Sequence, residues 1–347
     1  MSDAFDRVEP RLLFERRELL GVALDPPDTK PGSWIGAGKI LRDPEGGGFL
    51  LTARPRVAAG KARGYAANIY RSQDGLRFEQ VGGVTKEEAI RESGAEIHSI
   101  EGTQLLRDPA TGRWHFYLSV DTGGDFVWGG LQWETLLLVA PSLAGPWESR
   151  SLVLRHDQPY DANQSRDSSI DIIDGRWVCV YKAMNAEREV RPALATSADG
   201  VSWRKHGPLT VDGRDHLGFL SGTTFARGDG LLFVGLESSL EDYRRRDPEV
   251  VYADEHGVGH GSSDTFGVAY ALDLERRDLT PLHRAFWESR SEYEHARYPL
   301  LGYSSAIFDP KARRFLIYVE AIDGRLSRRI GLNETVERLL VYQTRLP

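Results

Sequence analysis

The amino-acid sequence predicts an all-β fold, a five-bladed β-propeller, and three observations support it. A short unit of strand, tight turn and strand recurs five times in the 347 residues. Two further strand-like runs follow most copies, which gives about four strands per repeat, as propeller blades have. The chain also has a single cysteine and no run of 18 apolar residues, so neither a disulfide scaffold nor a bundle of membrane helices competes.

The recurring unit is clearest from Ile100 to Trp114. Aligned on the turn, its other copies are Gly36 to Phe49, Asp167 to Trp177, Ser221 to Leu232 and Gly302 to Phe315. With the strands that follow, these copies predict one domain over residues 1–347 with blades at 34–84, 97–155, 165–210, 217–284 and 302–347. We number these blades as repeats one to five. Internal repeats of this length are the sequence mark of a propeller.

The fifth repeat ends after three strands, which leaves one edge of its sheet without a partner. An open edge exposes unpaired backbone groups. Residues 11–20, Arg-Leu-Leu-Phe-Glu-Arg-Arg-Glu-Leu-Leu, are the only spare strand candidate. We therefore expect this N-terminal segment to complete the last blade and close the ring.

The turns between third and fourth strands have a signature of their own. It reads Ser-Gln-Asp-Gly from Ser72 and Ser-Ala-Asp-Gly from Ser197, each followed by an aromatic residue three positions later. Asp-Gly is hairpin chemistry, in which glycine takes the positive φ. We interpret these turns as structural.

Composition restricts the partners. The net charge is -7 with scattered arginines, which argues against nucleic acid, and no segment predicts a membrane span. The N-terminus has no apolar signal-like region, and Cys179 lies in an apolar run, where we interpret it as a core residue. These features predict a cytoplasmic protein that acts on a small neutral or cationic ligand, and they leave its oligomeric state open.

The repeat alignment predicts which residues meet on one face. Strand direction alternates, so the starts of the innermost strands and the ends of the second strands share the face with the long loops, where binding residues usually lie. The aligned starts are Gly36, Glu101, Asp167, Ser221 and Gly302, and the aligned second-strand ends are Arg54, Ser119, Lys182, Glu237 and Glu320. We expect four carboxylates and two cations around the mouth of the channel.

Carboxylates crowded around a cleft differ in pKa, because they repel one another and pair unequally with cations. This is the condition for acid and base catalysis near neutral pH, as in glycoside hydrolysis. Structural ion pairs that tie the blades together are the alternative interpretation.

Other residues are candidates to line the same pocket. Asp171 is polar where the other repeats are apolar, and His98 precedes the second innermost strand; a hydrogen-bonded structural histidine is the alternative to a ligand. Trp34, Trp128 and Trp133 are candidates to stack on a sugar ring. No metal or other cofactor is predicted: a channel Ca²⁺ would suit the acids, but no contiguous ligand motif supports it.

The five repeats, the Ser-x-Asp-Gly-x-x-Trp/Phe turns and the acids at the channel mouth resemble the five-bladed propeller glycoside hydrolases. That superfamily includes arabinanases and xylosidases, invertases and levansucrases, and mannoside phosphorylases. The resemblance implies carboxylate catalysis at the channel mouth. It also implies an Asp base at the start of the first blade, where this chain has Gly36, and the invertase motif Trp-Met-Asn-Asp-Pro-Asn is absent.

We therefore expect an intracellular glycoside hydrolase that cleaves a short oligosaccharide or a small glycoside, with furanosides among the candidate substrates. The expected catalytic residues are Glu237 as the general acid, Asp167 as nucleophile or base, and Glu101 as base or pKa modulator. Glu320 is the fourth acid, and Arg54 and Lys182 are expected to bind hydroxyls, a carboxylate or a phosphate. A glycoside phosphorylase, a sugar lyase or isomerase, and a non-catalytic sugar-binding propeller are the alternatives.

Overall fold

The computed structural model describes residues 8–57, 63–123, 132–228, 230–239, 265–327 and 334–346, which are nearly all β structure. The strands form five four-stranded antiparallel groups. Repeat one contains Trp34–Gly36 and Ile40–Arg42 as its split innermost strand, then Phe49–Arg56, Ala66–Ser72 and Glu79–Thr85. Repeat two contains Ser99–Arg107, Trp114–Asp121, Trp133–Ala140 and Glu148–Leu154. Repeat three contains Gln164–Ile173, Arg176–Met184, Val190–Ser197 and Trp203–Pro208. Repeat four contains Gly218–Arg227, Gly230–Ser239, Thr265–Asp273 and Asp278–Phe286. Repeat five contains Leu300–Asp309, Arg314–Ile322 and Glu337–Arg345. The all-β class is confirmed.

The remaining elements are short. Helices span Pro10–Glu15 and Lys86–Ser93, a 3₁₀ turn spans Pro159–Asp161, and two small strands, Thr210–Val211 and Arg214–Asp215, lie between repeats three and four. The second helix begins with a capping box between Thr85 and Glu88 and ends at Gly94 in the left-handed conformation. Within the described ranges, no helix is long and apolar enough to cross a membrane.

An N-terminal strand pairs with the last strand of repeat five, but its position differs from the expected one. The strand is Glu18–Leu24, antiparallel to Glu337–Arg345, with Val22 opposite Leu340. The strand overlaps the expected range 11–20 only at residues 18–20, because Pro10–Glu15 forms a helix that buries Leu13 and Phe14. Proline suits the first turn of a helix, since its missing N–H has no partner there anyway. The fourth strand of repeat five is therefore supplied from the N-terminal side.

The innermost strands contact one another in repeat order. Each neighbouring pair is joined by a hydrogen bond from a backbone N–H: Thr103 to the Ala37 carbonyl (2.7 Å), Ile170 to Gln104 Oε1 (2.7 Å), Gly222 to Ser169 Oγ (3.3 Å), Ser304 to Ser221 Oγ (3.0 Å) and Ile40 to Ser305 Oγ (3.0 Å). The last of these joins repeat five to repeat one. This cyclic order fits the expected ring of five blades, which stays a prediction.

The apolar core lies between neighbouring repeats. Each of five buried clusters combines side chains from two adjacent repeats; members include Ile69 with Phe116, Leu137 with Tyr181, Val180 with Phe233, Leu236 with Ile317, and Leu316 with Leu51. Each fully buried side chain of this size contributes roughly 1.5–3 kcal/mol by leaving water. This packing holds the ends of the innermost strands at fixed positions.

The Asp-Gly turns also join repeats. Asp74 Oδ1 accepts the N–H groups of Leu76 and Arg77, and Tyr318 of repeat five donates to the Gly75 carbonyl at 2.6 Å. Tyr117 of repeat two makes the same 2.6 Å bond to Gly200 in repeat three. The turns are structural, as the sequence predicted.

Lys39 is a buried cation among the innermost strands. Its Nζ donates to Ser169 Oγ (2.9 Å), Ser221 Oγ (3.0 Å), the Gly222 carbonyl (3.0 Å) and the Ser304 carbonyl (2.8 Å). Burial lowers the pKa of Lys39 to about 7, and the charges of Asp171 and Asp167 oppose that shift. One amine thus connects repeat one to repeats three, four and five.

Replacing this amine should destabilise the protein. Lys39→Met removes the charged donor that four buried oxygens share, and each lost hydrogen bond to a charged group is worth about 1.5–3 kcal/mol before the neighbours rearrange. We expect the free energy of unfolding to fall by roughly 3 kcal/mol in urea titrations. Lys311→Met, at an exposed turn lysine, is the matched control and should change it little. Equal stability of Lys39→Met and the control would contradict this role.

Candidate active site

The candidate site lies where the innermost strands depart from regular pairing. Register shifts occur between Ile100 and Thr103, between Arg166 and Ser169, and between Leu300 and Ser304. These β-bulges contain Glu101, Asp167 and Gly302, three of the aligned positions. Bulges redirect side chains and are common beside active sites.

Asp167 is the most constrained of these residues. Its φ is +53°, in the left-handed region that few residues other than glycine adopt. Its N–H donates to Ser119 Oγ at 2.8 Å, and its Oδ2 accepts the Tyr303 hydroxyl at 3.2 Å and lies 3.5 Å from Arg166 Nε. Its buried Oδ1 has no hydrogen-bond partner among the described residues. Strained backbone and an unmet carboxylate oxygen at one residue point to function rather than stability.

Arg54 connects the acids of repeats two and five. Its Nη2 lies 2.9 Å from Glu101 Oε2 and 3.4 Å from Glu320 Oε1, while Arg56 Nη1 lies 3.5 Å from Glu101 Oε1. All four side chains are buried. Burial opposes the charge of Arg54, but Glu101 and Glu320 outweigh it and raise its pKa. The guanidinium is therefore a fixed cation.

A second pair of acids adjoins Arg54. Burial raises the pKa of Glu320, against the opposing charge of Arg54, and it raises the pKa of Glu337 well above its usual range. The charge of Glu320 raises the pKa of Glu337 further, because two negative charges in a dry site repel. Thr335 donates to Glu337 Oε1 at 2.6 Å. One proton shared between Glu320 and Glu337 therefore fits this site better than two ionised carboxylates.

Lys182 approaches the same group from the second strand of repeat three. It pairs across the ladder with Arg166 and keeps partial exposure. Burial and, to a smaller extent, Arg166 lower its pKa to about 7, against the opposing effect of Asp167 and Glu101. We call Arg54, Arg56, Glu101, Arg166, Asp167, Lys182, Tyr303 and Glu320 the mouth cluster.

Glu237 is not brought into the mouth cluster, which corrects the expectation for this residue. Its Oε1 accepts from Arg284 Nε and Nη2 at 3.0 and 2.8 Å, and its Oε2 accepts the Tyr270 hydroxyl. His216 Nε2 lies 3.7 Å from Oε1. These contacts occupy both oxygens at the interface of repeats three and four, so the expected general acid lacks a free oxygen.

Two of the three candidate tryptophans, Trp34 and Trp133, pack against arginine guanidinium groups. The Arg56 guanidinium carbon lies 4.0 Å above the Trp34 ring, and that of Arg166 lies 4.1 Å above the Trp133 ring. Each tryptophan is only 2% exposed, so in this structure neither offers the free face expected for stacking on a sugar. Trp128 lies outside the described residues.

His98 and Asp171 lie apart from the acids at the mouth. His98 Nε2 is 3.4 Å from the exposed Glu96, which favours its structural interpretation. Asp171 accepts the Thr224 N–H at 2.7 Å, and burial raises its pKa to about 7 while Lys39 opposes the shift. Asp171 thus belongs with Lys39 between the innermost strands. Among the residues described, no group of three His, Cys, Asp or Glu side chains could hold a metal ion.

Two members of the cluster were not expected from sequence. Arg166 and Tyr303 directly adjoin the aligned positions Asp167 and Gly302. Their adjacency to aligned positions was the available signal, and the bulges explain why neighbours of those positions share the site.

Comparison with known proteins identifies the architecture. No protein-family model matches the chain, and neither does any curated protein sequence. Solved structures do match. Zg3597, a family 117 glycoside hydrolase from the marine bacterium Zobellia galactanivorans, shares 12% identity over 96% of this chain and 91% of its own, with a TM-score of 0.60. CoXyl43, a family 43 β-xylosidase/α-arabinofuranosidase from a compost microbial metagenome solved with xylotriose, shares 9% over 93% and 95%, with a TM-score of 0.57.

The chain has a β-propeller fold. A third similar structure is an N-acetylgalactosamine deacetylase from F. plautii solved with blood group B trisaccharide, at 10% identity over 96% of this chain and 95% of its own and a TM-score of 0.62. The expected likeness to propeller glycoside hydrolases is confirmed at the level of fold. Fold alone does not fix the reaction.

The propeller also explains Gly36, where the resemblance implied an aspartate. An added Cβ at Gly36 would lie 2.6 Å from both Cδ and Oε2 of Glu320. The carboxyl of repeat five therefore fills the space into which a side chain of repeat one would project. This propeller has an acid at that place, but a different strand supplies it.

Gly36→Ala should reveal this close approach in a double-mutant cycle. Overpacking a filled site costs about 1–3 kcal/mol, and we expect that loss in the free energy of unfolding, measured in urea. In a Glu320→Ala background the cost should fall, because the clash is gone and only the backbone strain of an alanine at φ +159° remains. Gly230→Ala, where an added Cβ meets nothing nearer than 3.9 Å, is the control. Additive effects of the two substitutions would contradict the contact.

Proposed function

We propose that this propeller is a glycoside hydrolase and that the mouth cluster is its active site. The carrying observation is Asp167, a carboxylate held in a left-handed conformation with one buried oxygen unpartnered and with Lys182 and Tyr303 beside it. The propeller neighbours support the class of reaction, since several of them are glycoside hydrolases.

The residues of the cluster divide into two sets by their contacts. Glu101 and Glu320 are tied to Arg54, which fixes their positions and suits them to shape the electrostatics of the site. Asp167 has an oxygen to spare, which suits it to act as the base toward water or as the nucleophile toward the anomeric carbon. Glu237 lies outside the mouth cluster and binds Arg284, so the proposed site needs a general acid from within the cluster.

A small carbohydrate is the proposed substrate. Two of the similar propellers were solved with a trisaccharide or with xylotriose, which supports a short oligosaccharide here. We also propose a cytoplasmic location, because the single cysteine, Cys179, is buried and free.

A glycoside phosphorylase is the second candidate, and the charges favour it specifically. Four cationic side chains, Arg54, Arg56, Arg166 and Lys182, converge on the mouth cluster, and such groups suit an oxyanion. Phosphate would then take the place of water as the attacking group. Turnover that requires inorganic phosphate and releases a sugar phosphate would select this candidate over the hydrolase.

Single amide substitutions test the proposed site. On a panel of chromogenic furanosides and pyranosides, Asp167→Asn and Glu101→Gln should each lower kcat/KM about 10²–10⁴-fold, because each removes a working charge. The unfolding midpoint of Asp167→Asn should stay near that of the unsubstituted protein, whereas Glu101→Gln should lower it, because it weakens the contacts with Arg54 and Arg56.

Glu237→Gln is the matched control, an equally buried acid outside the mouth cluster. We expect it to lower stability, because it weakens the contact with Arg284, and to leave turnover of the folded protein within a few-fold. Unchanged rates in both Asp167→Asn and Glu101→Gln, or binding of sugars without turnover, would overturn the proposed active site.

A further inference from the structure

We propose that Lys182 is the proton donor of the mouth cluster. This inference rests on the function proposed above and adds the acid that the arrangement of Glu237 leaves unassigned. It follows from the position of the lysine and from the lack of a hydrogen-bond acceptor or ion-pair partner for its amine among the described residues.

Lys182 lies where its amine could contact a ligand bound at the channel mouth. It lies two residues before the end of the second strand of repeat three, directly across from Arg166 at the edge of the bulge that turns Asp167. Its Nζ lies 5.0 Å from the centre of the Phe219 ring of repeat four, and the Phe219 and Tyr303 rings meet edge to face at 5.4 Å. The amine therefore lies among repeats three, four and five.

Apart from its contact with the Phe219 ring, the amine has no partner among the described residues. Across the part of the chain that is described, no residue accepts a hydrogen bond from Lys182 Nζ or forms an ion pair with it, although Lys39 uses four acceptors. A structural lysine this enclosed would be expected to have such partners. Lys182 also keeps partial exposure, so a ligand at the mouth can reach it.

The neighbouring charges poise this amine for proton transfer. The groups that face it are Arg166 on the adjoining strand, Asp167 at the bulge and Glu101 from repeat two, with Tyr303 of repeat five beyond Asp167. Burial and Arg166 lower the pKa of Lys182 to about 7, whereas the two acids limit the fall. An acid of this strength both holds and releases its proton near neutral pH, which is where general acids work best.

The other groups of the cluster suit the role less well. Arg54 and Arg166 have raised pKa values and keep their protons. Glu101 is held by two arginines, and Glu320 is fully buried against Arg54. Lys182 is the member that combines exposure, a missing partner and a transferable proton.

The proposed step balances when written for direct attack by water. The glycosidic C–O bond breaks with its electron pair passing to the leaving oxygen, which takes a proton from the Lys182 ammonium. A water oxygen forms the new bond to the anomeric carbon, and the proton of that water passes to the Asp167 carboxylate. Transfer of this proton back to the Lys182 amine through solvent restores both groups.

Leaving-group dependence tests the role directly. Lys182→Met should lower kcat/KM about 10²–10³-fold on an alkyl glycoside, whose leaving oxygen needs a proton, and far less on a dinitrophenyl glycoside, which does not. Lys182→Arg should resemble Lys182→Met on the alkyl glycoside, because a guanidinium carries the charge without releasing its proton. An equal loss on both glycosides, or full activity of Lys182→Arg, would overturn the proposal; the latter would assign Lys182 to binding an anionic group.

Chemical rescue distinguishes a proton donor from a structural residue, because only a proton donor would shift the pH profile. Lys182→Cys alkylated with 2-bromoethylamine regains an amine with a sulfur in its side chain, which lowers the amine pKa. Activity should return, and the fall in kcat/KM at high pH should move to lower pH than in the unsubstituted protein. The unsubstituted protein treated alike is the control, since its one cysteine, Cys179, is buried. No rescue, or rescue with an unshifted pH profile, would refute the role.

The two proposals fail separately. If the unsubstituted protein turns over no glycoside, the proposed function fails, and if Asp167→Asn and Glu101→Gln both keep full activity, the proposed active site fails. If turnover depends on Asp167 but survives in Lys182→Arg, only the proton-donor assignment fails.

Discussion

The hydrogen bonds between neighbouring innermost strands are the constraint on which the candidate site depends. Residues 54, 101, 167, 182, 303 and 320 come from four repeats, and no local segment could bring them together. The cyclic contacts and the five apolar clusters between repeats place the ends of these strands at one opening. Lys39 reinforces the arrangement, because its amine joins strands of three other repeats.

Charge balance then determines what each acid can do. Removing a carboxylate or guanidinium from water is costly, so buried charges persist where opposite charges face them. Arg54 meets this need for Glu101 and Glu320, and Arg284 meets it for Glu237. Asp167 and Lys182 are less completely paired. The incomplete pairing of these two groups sets them apart from the structural ion pairs, and it is why we assign the chemistry to them.

The sequence predicted much of this arrangement, because strand alternation and repeat length are local properties that it carries directly. It placed Arg54, Glu101, Asp167, Lys182 and Glu320 at one opening. It failed for Glu237 because alignment fixes a position along a strand but not the face of the sheet. The first two strands of repeat four pair without a bulge, Glu237 lies opposite Leu220, and opposed side chains share a face. Leu220 packs against repeat three, and Glu237 turns to the same interface.

The N-terminal segment shows a second limit. Residues 11–20 contain apolar pairs that suit either a strand or a short helix, and the packing of Leu13 and Phe14 against repeats four and five decides for the helix. The space occupied by Glu320 beside Gly36 was equally out of reach, since it joins residues 284 positions apart in the chain (320 minus 36).

A crystal structure of Asp167→Asn with a bound short oligosaccharide would test the central claim most directly. We expect a sugar ring within hydrogen-bond distance of position 167 and Tyr303, with the glycosidic oxygen facing Lys182 Nζ. A sugar bound on another face of the propeller, with position 167 and Lys182 both out of its reach, would contradict the account.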